Sequence, residues 1–291
     1  MRRRTHLAAT PLVVLAALLL PSVKPADAQT KPLRLSLASP EASAWETVKG
    51  GRLRLVTAPH APDGTATAAI EIELEPGFKT YWWNPGADGI PPQVAFLGSR
   101  NVAKAALTLP PPQVFRESTL TVGYTGNVRF PIAVETADPA QGYRLAASGI
   151  VGFCADICVP VPFNFAASPP LRPTGRAILA SATTGVVEPS DELHLADARF
   201  DPETGRLEVD ARVPDTDVLL ELVVANPKDV LLPPAATTVH QKGDKATFTF
   251  ELGEDVTLSD EQELTFTLLV AQFGQEGRIG VEQTLPVALV K

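Results

Sequence analysis

The sequence predicts an all-β protein made of two tandem immunoglobulin-like β-sandwich domains. Three observations lead there. Apolar residues recur at every second position in short runs, the pattern of half-buried strands. Clusters of turn-forming residues separate those runs roughly every 8–12 residues. The 28 Pro and 20 Gly residues among 291 argue for many turns rather than long helices.

The elements follow in order. Residues 29–45 are dotted with Pro and Ser and read as an extended leading segment. Residues 52–56 (RLRLV) alternate, and 66–74 (ATAAIEIEL) continue the pattern with Ile70, Ile72 and Leu74 on one face. Glu71 and Glu73 then read as the solvated face of that strand. His60-Ala61-Pro62-Asp63-Gly64 between the two runs is a turn by composition. Further strands are expected at 78–83, 93–97, 105–109, 128–134 and 143–151, with Asp138-Pro139-Ala140-Gln141-Gly142 turning between the last two. A Pro-rich stretch from Ala166 (AASPPLRPTGR) breaks the pattern. Beyond it, residues 200–207 (FDPETGRL) carry a hairpin signal, with Leu207, Val209 and Ala211 alternating behind the turn. Strands are expected again at 218–224, 237–240, 246–252, 264–271 and 278–290, and Gln241-Lys242-Gly243-Asp244 is another tight turn. This second unit has about the length of one immunoglobulin-like domain, roughly 100 residues. The expected division is a signal peptide at 1–28, a first sandwich at 29–170, a linker at 171–190 and a second sandwich at 191–291.

The signal reading rests on Arg2, Arg3 and Arg4 ahead of residues 12–20 (LVVLAALLL), followed by the small-x-small pattern Ala26-Asp27-Ala28. That apolar run is far short of the roughly 20 residues that span a bilayer. No cysteine stands at the cleavage point, which argues against a lipoprotein anchor. The mature chain is therefore expected in an oxidising compartment, a bacterial periplasm, and not to be membrane-spanning itself. Loss of residues 1–28 removes four basic residues and one acidic one, taking the net charge from −8 to −11. An acidic chain without a basic cluster has no electrostatic footprint for nucleic acid and little attraction to anionic lipid. No GxSxG elbow, Walker loop or HExxH helix occurs, and His60, His194 and His240 lack metal-ligand spacing. No cofactor and no metal are expected.

The remaining chemistry lies in the chain's only two cysteines, Cys154 and Cys158, in the stretch GIVGFCADICVPVPF. Four residues of continuous strand span about 13 Å, whereas a disulfide needs Cα atoms about 4.4–6.8 Å apart. A bonded pair therefore requires Ala155-Asp156-Ile157 to fold into a tight turn or bulge. Pro160 and Pro162 forbid a helix continuing past the pair. Closing so short a loop stabilises by only about 2 kcal/mol in the chain-entropy model. Two thiolates without further nearby ligands leave zinc undersupplied. A structural staple, a labile redox pair and a metal clip all stay open on spacing alone.

The stretch Gly152-Phe153-Cys154-Ala155-Asp156-Ile157-Cys158-Val159-Pro160 resembles the cysteine motif of the periplasmic N-terminal domains of DsbD-type thiol:disulfide interchange proteins. The ScsB-like subgroup, linked to copper tolerance, is the nearest in pattern. Two upstream segments agree in order. KTYWWNPGADGIP (79–91) resembles the family's TYWxNPG segment, with Trp83 where Arg is expected, and GYTGNV (123–128), preceded by Phe115-Arg116-Glu117, resembles its GYxGxV segment. The resemblance implies an immunoglobulin-like fold whose cysteine pair passes electrons. The donor would be a membrane thiol reductase of the DsbD or CcdA type, and the acceptor a periplasmic thioredoxin-fold protein. It makes Cys154 and Cys158 the redox pair, with Cys158 attacking the partner. Asp156 acts on thiol protonation or caps the turn. Tyr81 and Trp82 cover the cysteines or pack the core, and alternation along a strand sends at least one of them inward. DsbD-type proteins fuse this region to a transmembrane domain, and this chain ends at Lys291 without one, so a separate membrane protein is the expected donor. A disulfide isomerase, a cytochrome c maturation factor and a copper-stress protein are all possible acceptors. The rival reading is a non-catalytic interaction module with a structural disulfide.

Overall fold

Period-two patterning produces strands throughout the computed structural model, which describes residues 42–169, 185–215, 218–225, 231–253, 256–272 and 278–290. The expected signal peptide (1–28) and the linker up to residue 184 lie outside the described residues. All regular structure among the described residues is β.

The first eleven strands are β1 (Glu46–Val48), β2 (Gly51–Thr57), β3 (Thr65–Leu74), β4 (Lys79–Tyr81), β5 (Gln93–Ala95), β6 (Lys104–Leu107), β7 (Gln113–Arg116), β8 (Leu120–Thr125), β9 (Asn127–Glu135), β10 (Leu145–Cys154) and β11 (Cys158–Ala167). They form two sheets, ordered β1-β2-β3-β9-β6 and β11-β10-β4-β8-β7, with β5 pairing β10. The alternate apolar residues predicted from the sequence, such as Leu53, Leu55, Ile70, Ile72, Phe130 and Ile132, meet Trp82, Val122, Val151 and Phe153 of the other sheet in one buried cluster. The remaining strands are β12 (Val186–Val187), β13 (His194–Asp201), β14 (Arg206–Arg212), β15 (Val218–Val224), β16 (Thr238–Lys242), β17 (Lys245–Glu251), β18 (Gln262–Gln272) and β19 (Ile279–Leu289). They make one sheet, ordered β15-β18-β19-β13-β14-β17-β16, with β12 pairing β19. Its second cluster draws Leu220 and Leu222 from one end and Phe248 and Phe250 from near the other, so the sheet wraps around its own core. Val223, Ala235 and Leu269 instead join the first cluster, and the described residues hold together as one compact unit.

Strands β7, β8 and β11, like β1, β12 and β13, escape the sequence pattern. Strand β8, paired with β7, carries the start of the GYTGN motif, where Gly123 lets the backbone of β4 approach closely: a Cβ there would lie 2.1 Å from the Thr80 carbonyl oxygen. Strand β11 contains Pro160 and Pro162, which by composition argue against a strand. It is tolerated because β11 ends the sheet order. Cys154 and Cys158 face each other with Cα atoms 4.1 Å apart, the spacing of a non-hydrogen-bonded pair. Pro160 and Pro162, two and four residues on, share that class, so the N–H groups they lack would have pointed away from β10. The edge loses donors that could template pairing with another chain.

Glu71 corrects the sequence reading. It is 5% exposed rather than solvated. Its register partners are Arg54 on β2 and Arg129 on β9. Arg54 Nε donates to Oε2 at 2.6 Å and Arg129 Nε to Oε1 at 2.7 Å. Glu73, one pair along, meets Arg52 at 2.6 Å. Glu71→Ala removes the carboxylate that the two guanidinium groups share. Those are only partly exposed, 24% and 34%, so water compensates some of the loss, and the expected cost is about 2–3 kcal/mol in urea unfolding.

Candidate functional site

The cysteine hairpin forms because β10 and β11 pair residue by residue from Leu145↔Ala167 to Cys154↔Cys158, leaving Ala155-Asp156-Ile157 as the connecting bend. That is the tight turn a bonded pair requires, and the two cysteines are joined as a disulfide. The sulfurs are unequal. Cys154 is 2% exposed, held between its pairing with Cys158 and its register with Lys79 on β4. Cys158 is half-buried and is the partner a thiol from outside can approach.

Two groups contact Cys158. The Tyr81 hydroxyl donates to its sulfur at 3.6 Å, and the Asp88 carbonyl oxygen lies 2.9 Å from that sulfur. Strand alternation splits the aromatic pair: Tyr81 ends β4 at the cysteine, while Trp82 is 1% exposed in the first core cluster. Glycines make room for the Tyr81 ring. A Cβ on Gly89 would come within 2.8 Å of it, and one on Gly152 would meet Ile90 at 2.8 Å. The loop carrying Asp88, Gly89 and Ile90 therefore lies across the hairpin as a cover. Lys79, beside Cys154 in register, pairs with Glu117 at 2.8 Å and sits over the Phe115 ring. Asp156 is exposed at the tip, and its carboxylate has no hydrogen-bond partner among the described residues. The sequence reading missed Asp88, whose contribution is a backbone carbonyl and so has no side-chain signature. Gly152 carried the available signal, since glycine inside a strand marks close approach.

Burial pushes the Tyr81 hydroxyl above the usual tyrosine range, and the charges of Asp88 and Glu117 add to the effect. The phenol thus stays a donor. Burial also raises Tyr124 and Tyr143, so all three tyrosines of the chain are displaced upward. Unfolded tyrosines lose their protons near pH 10 while the folded ones retain them. The stabilisation is complete below pH 10 and falls as pH rises beyond it. Folded protein at pH 10 should show little phenolate absorbance, and the urea midpoint should drop between pH 9 and pH 11.

Residues 53–167 match the family model of the thiol:disulfide interchange protein DsbD, N-terminal. This segment is similar to that family. The DsbD N-terminal match covers every residue of the site, from Tyr81 and Asp88 to both cysteines. The fold is similar to that of the N-terminal periplasmic domain of ScsB from Proteus mirabilis, with a TM-score of 0.66 and 20% identity over 84% of this chain and 98% of that one. A likeness of that extent takes in the C-terminal sheet as well as the DsbD N-terminal segment. The GAE domain of yeast GGA1 is matched over 44% of this chain and 98% of that one at a TM-score of 0.25 and 9% identity. No curated protein matches the chain by sequence.

Proposed function

We propose that this chain is a periplasmic thiol:disulfide exchange protein in which Cys158 is the exchanging sulfur and Cys154 the resolving one. The inequality of the two sulfurs carries the reading: Cys154 is buried at 2% exposure, while Cys158 is reachable beside the neutral Tyr81 donor. The match of residues 53–167 to the DsbD N-terminal family model supports it. Exposed apolar residues around the tip, Ile157 at 77%, Val159 at 38% and Ile150 at 36%, offer contact area to a partner protein. We read the two buried clusters as two sandwiches, the second without exchange chemistry of its own.

The electrons balance in two exchanges. A thiolate of a reduced donor, a membrane thiol reductase, attacks Cys158 Sγ; the Cys154–Cys158 bond breaks and Cys154 leaves as a thiolate that takes up a proton. The donor's second thiol then displaces Cys158, so the donor ends as a disulfide and the pair as a dithiol. The reduced pair repeats the sequence in the opposite sense on a thioredoxin-fold acceptor: Cys158 attacks the acceptor disulfide and Cys154 resolves the mixed disulfide. The test is trapping. Cys154→Ser removes the resolving thiol, so Cys158 should accumulate covalently bound partners in periplasmic extract. No trapped species, with a disulfide potential well below that of periplasmic exchange proteins, would leave the pair a structural disulfide.

A further inference from the structure

Two of the segments around the cysteines continue beyond them into the C-terminal half. Asn84, in the NPG segment, is 1% exposed. Its side-chain amide donates to the Leu232 carbonyl at 3.1 Å, and its Oδ1 accepts from the Gly86 N–H at 3.3 Å. Gly86 has φ 87° and fits between the Leu120 carbonyl and the Pro234 ring: a Cβ there would lie 2.3 Å from the one and 3.4 Å from the other. Two residues further along the same loop, the Asp88 carbonyl meets Cys158. A second line of contacts runs through Arg116, whose guanidinium donates to the Ala236 carbonyl at 3.3 Å and pairs with Glu221 at 3.5 Å. Arg278 holds Glu221 from the other side at 2.8 Å. The next residue, Glu117, pairs with Lys79, the register neighbour of Cys154. Residues 232–236 are themselves fixed to β15, with Val224 N–H donating to Pro234 O at 3.1 Å and Ala236 N–H to Leu222 O at 2.9 Å.

We propose that residues 232–236 of the C-terminal half brace the cover loop over Cys158, with Asn84 as the positioning residue that connects them. The inference rests on reading Cys158 as the exchanging sulfur, and it gives the C-terminal half a role in setting access to it. The physical argument is that a loop bearing Gly86 and Gly89 has little conformational preference of its own. A buried amide hydrogen bond of single geometry supplies what the loop lacks.

The experiment is native-state reduction of the disulfide by dithiothreitol, quenched by alkylation. The reductant's thiolate attacks Cys158 Sγ and displaces Cys154; its second thiol then closes a cyclic disulfide and releases Cys158, so two electrons pass to the pair. Asn84→Ala should be reduced at least about fivefold faster than wild type, and Pro234→Ala about twofold faster. Val209→Ala, buried in the second cluster but making none of the hydrogen bonds or ion pairs of either line of contact, should be destabilised yet reduced at the wild-type rate. If Asn84→Ala does not fold, Pro234→Ala decides. A wild-type rate in the deciding variant overturns the brace, as does equal acceleration in Val209→Ala. Because the probe is a small dithiol, failure to trap a protein partner overturns the exchange function without altering this readout.

Discussion

On the proposed exchange function, Cys158→Ser is expected to lower electron transfer to a thioredoxin-fold acceptor by on the order of a thousandfold or more, because it removes the proposed nucleophile. The remaining thiol does not substitute for it. Cys154 is buried at 2% exposure, opposite Cys158 and in register with Lys79. An attacking thiolate must reach the partner disulfide along the S–S axis, and that access exists at Cys158 alone. The measurement is single-turnover oxidation of the reduced protein by an acceptor, for wild type, Cys158→Ser and Cys154→Ser. Cys154→Ser should form the mixed disulfide at a rate near wild type and stop there. Comparable first-step rates for the two variants would show that either sulfur can attack, which the difference in burial does not allow.

Trp82→Ala is expected to cost about 3–5 kcal/mol, the usual range for truncating a large core aromatic, and to lower the melting temperature by on the order of 10 °C. Trp82 is among the largest fully buried side chains and packs in the cluster that joins the first two sheets. Reduction of the disulfide, by contrast, releases a loop of five residues and should cost only about 2 kcal/mol. Urea unfolding of oxidised Trp82→Ala beside reduced wild type puts the two on one scale. The core substitution should be the more damaging, so that under the proposed exchange function the protein would stay folded with the pair reduced. An order reversed, with the reduced wild type less stable than Trp82→Ala, would make the disulfide a structural element.

Much of the architecture was legible in the chain. The alternation through 52–56 and 66–74 becomes β2 and β3 because burying one face of a strand imposes a period of two. The short Cys154–Cys158 spacing required a tight turn, and the hairpin supplies it. Strand β11 was not legible, since its prolines are acceptable only on a sheet edge whose donors face away from the neighbour. Glu71 misled for a related reason: polar residues alternating with Ile look solvated until arginines on both flanking strands close over them.

The sequence by itself determined the all-β class, the positions of most strands and the cysteine-centred site. These depend on backbone preference and on side-chain patterns within a few residues of each other. Only the tertiary structure decided that Tyr81 rather than Trp82 meets the sulfur, that Cys158 rather than Cys154 is accessible, and that Asn84 reaches Leu232. Those outcomes depend on which strands become neighbours and in what register, and contacts between residues 70 to 148 positions apart leave no local signature in the chain.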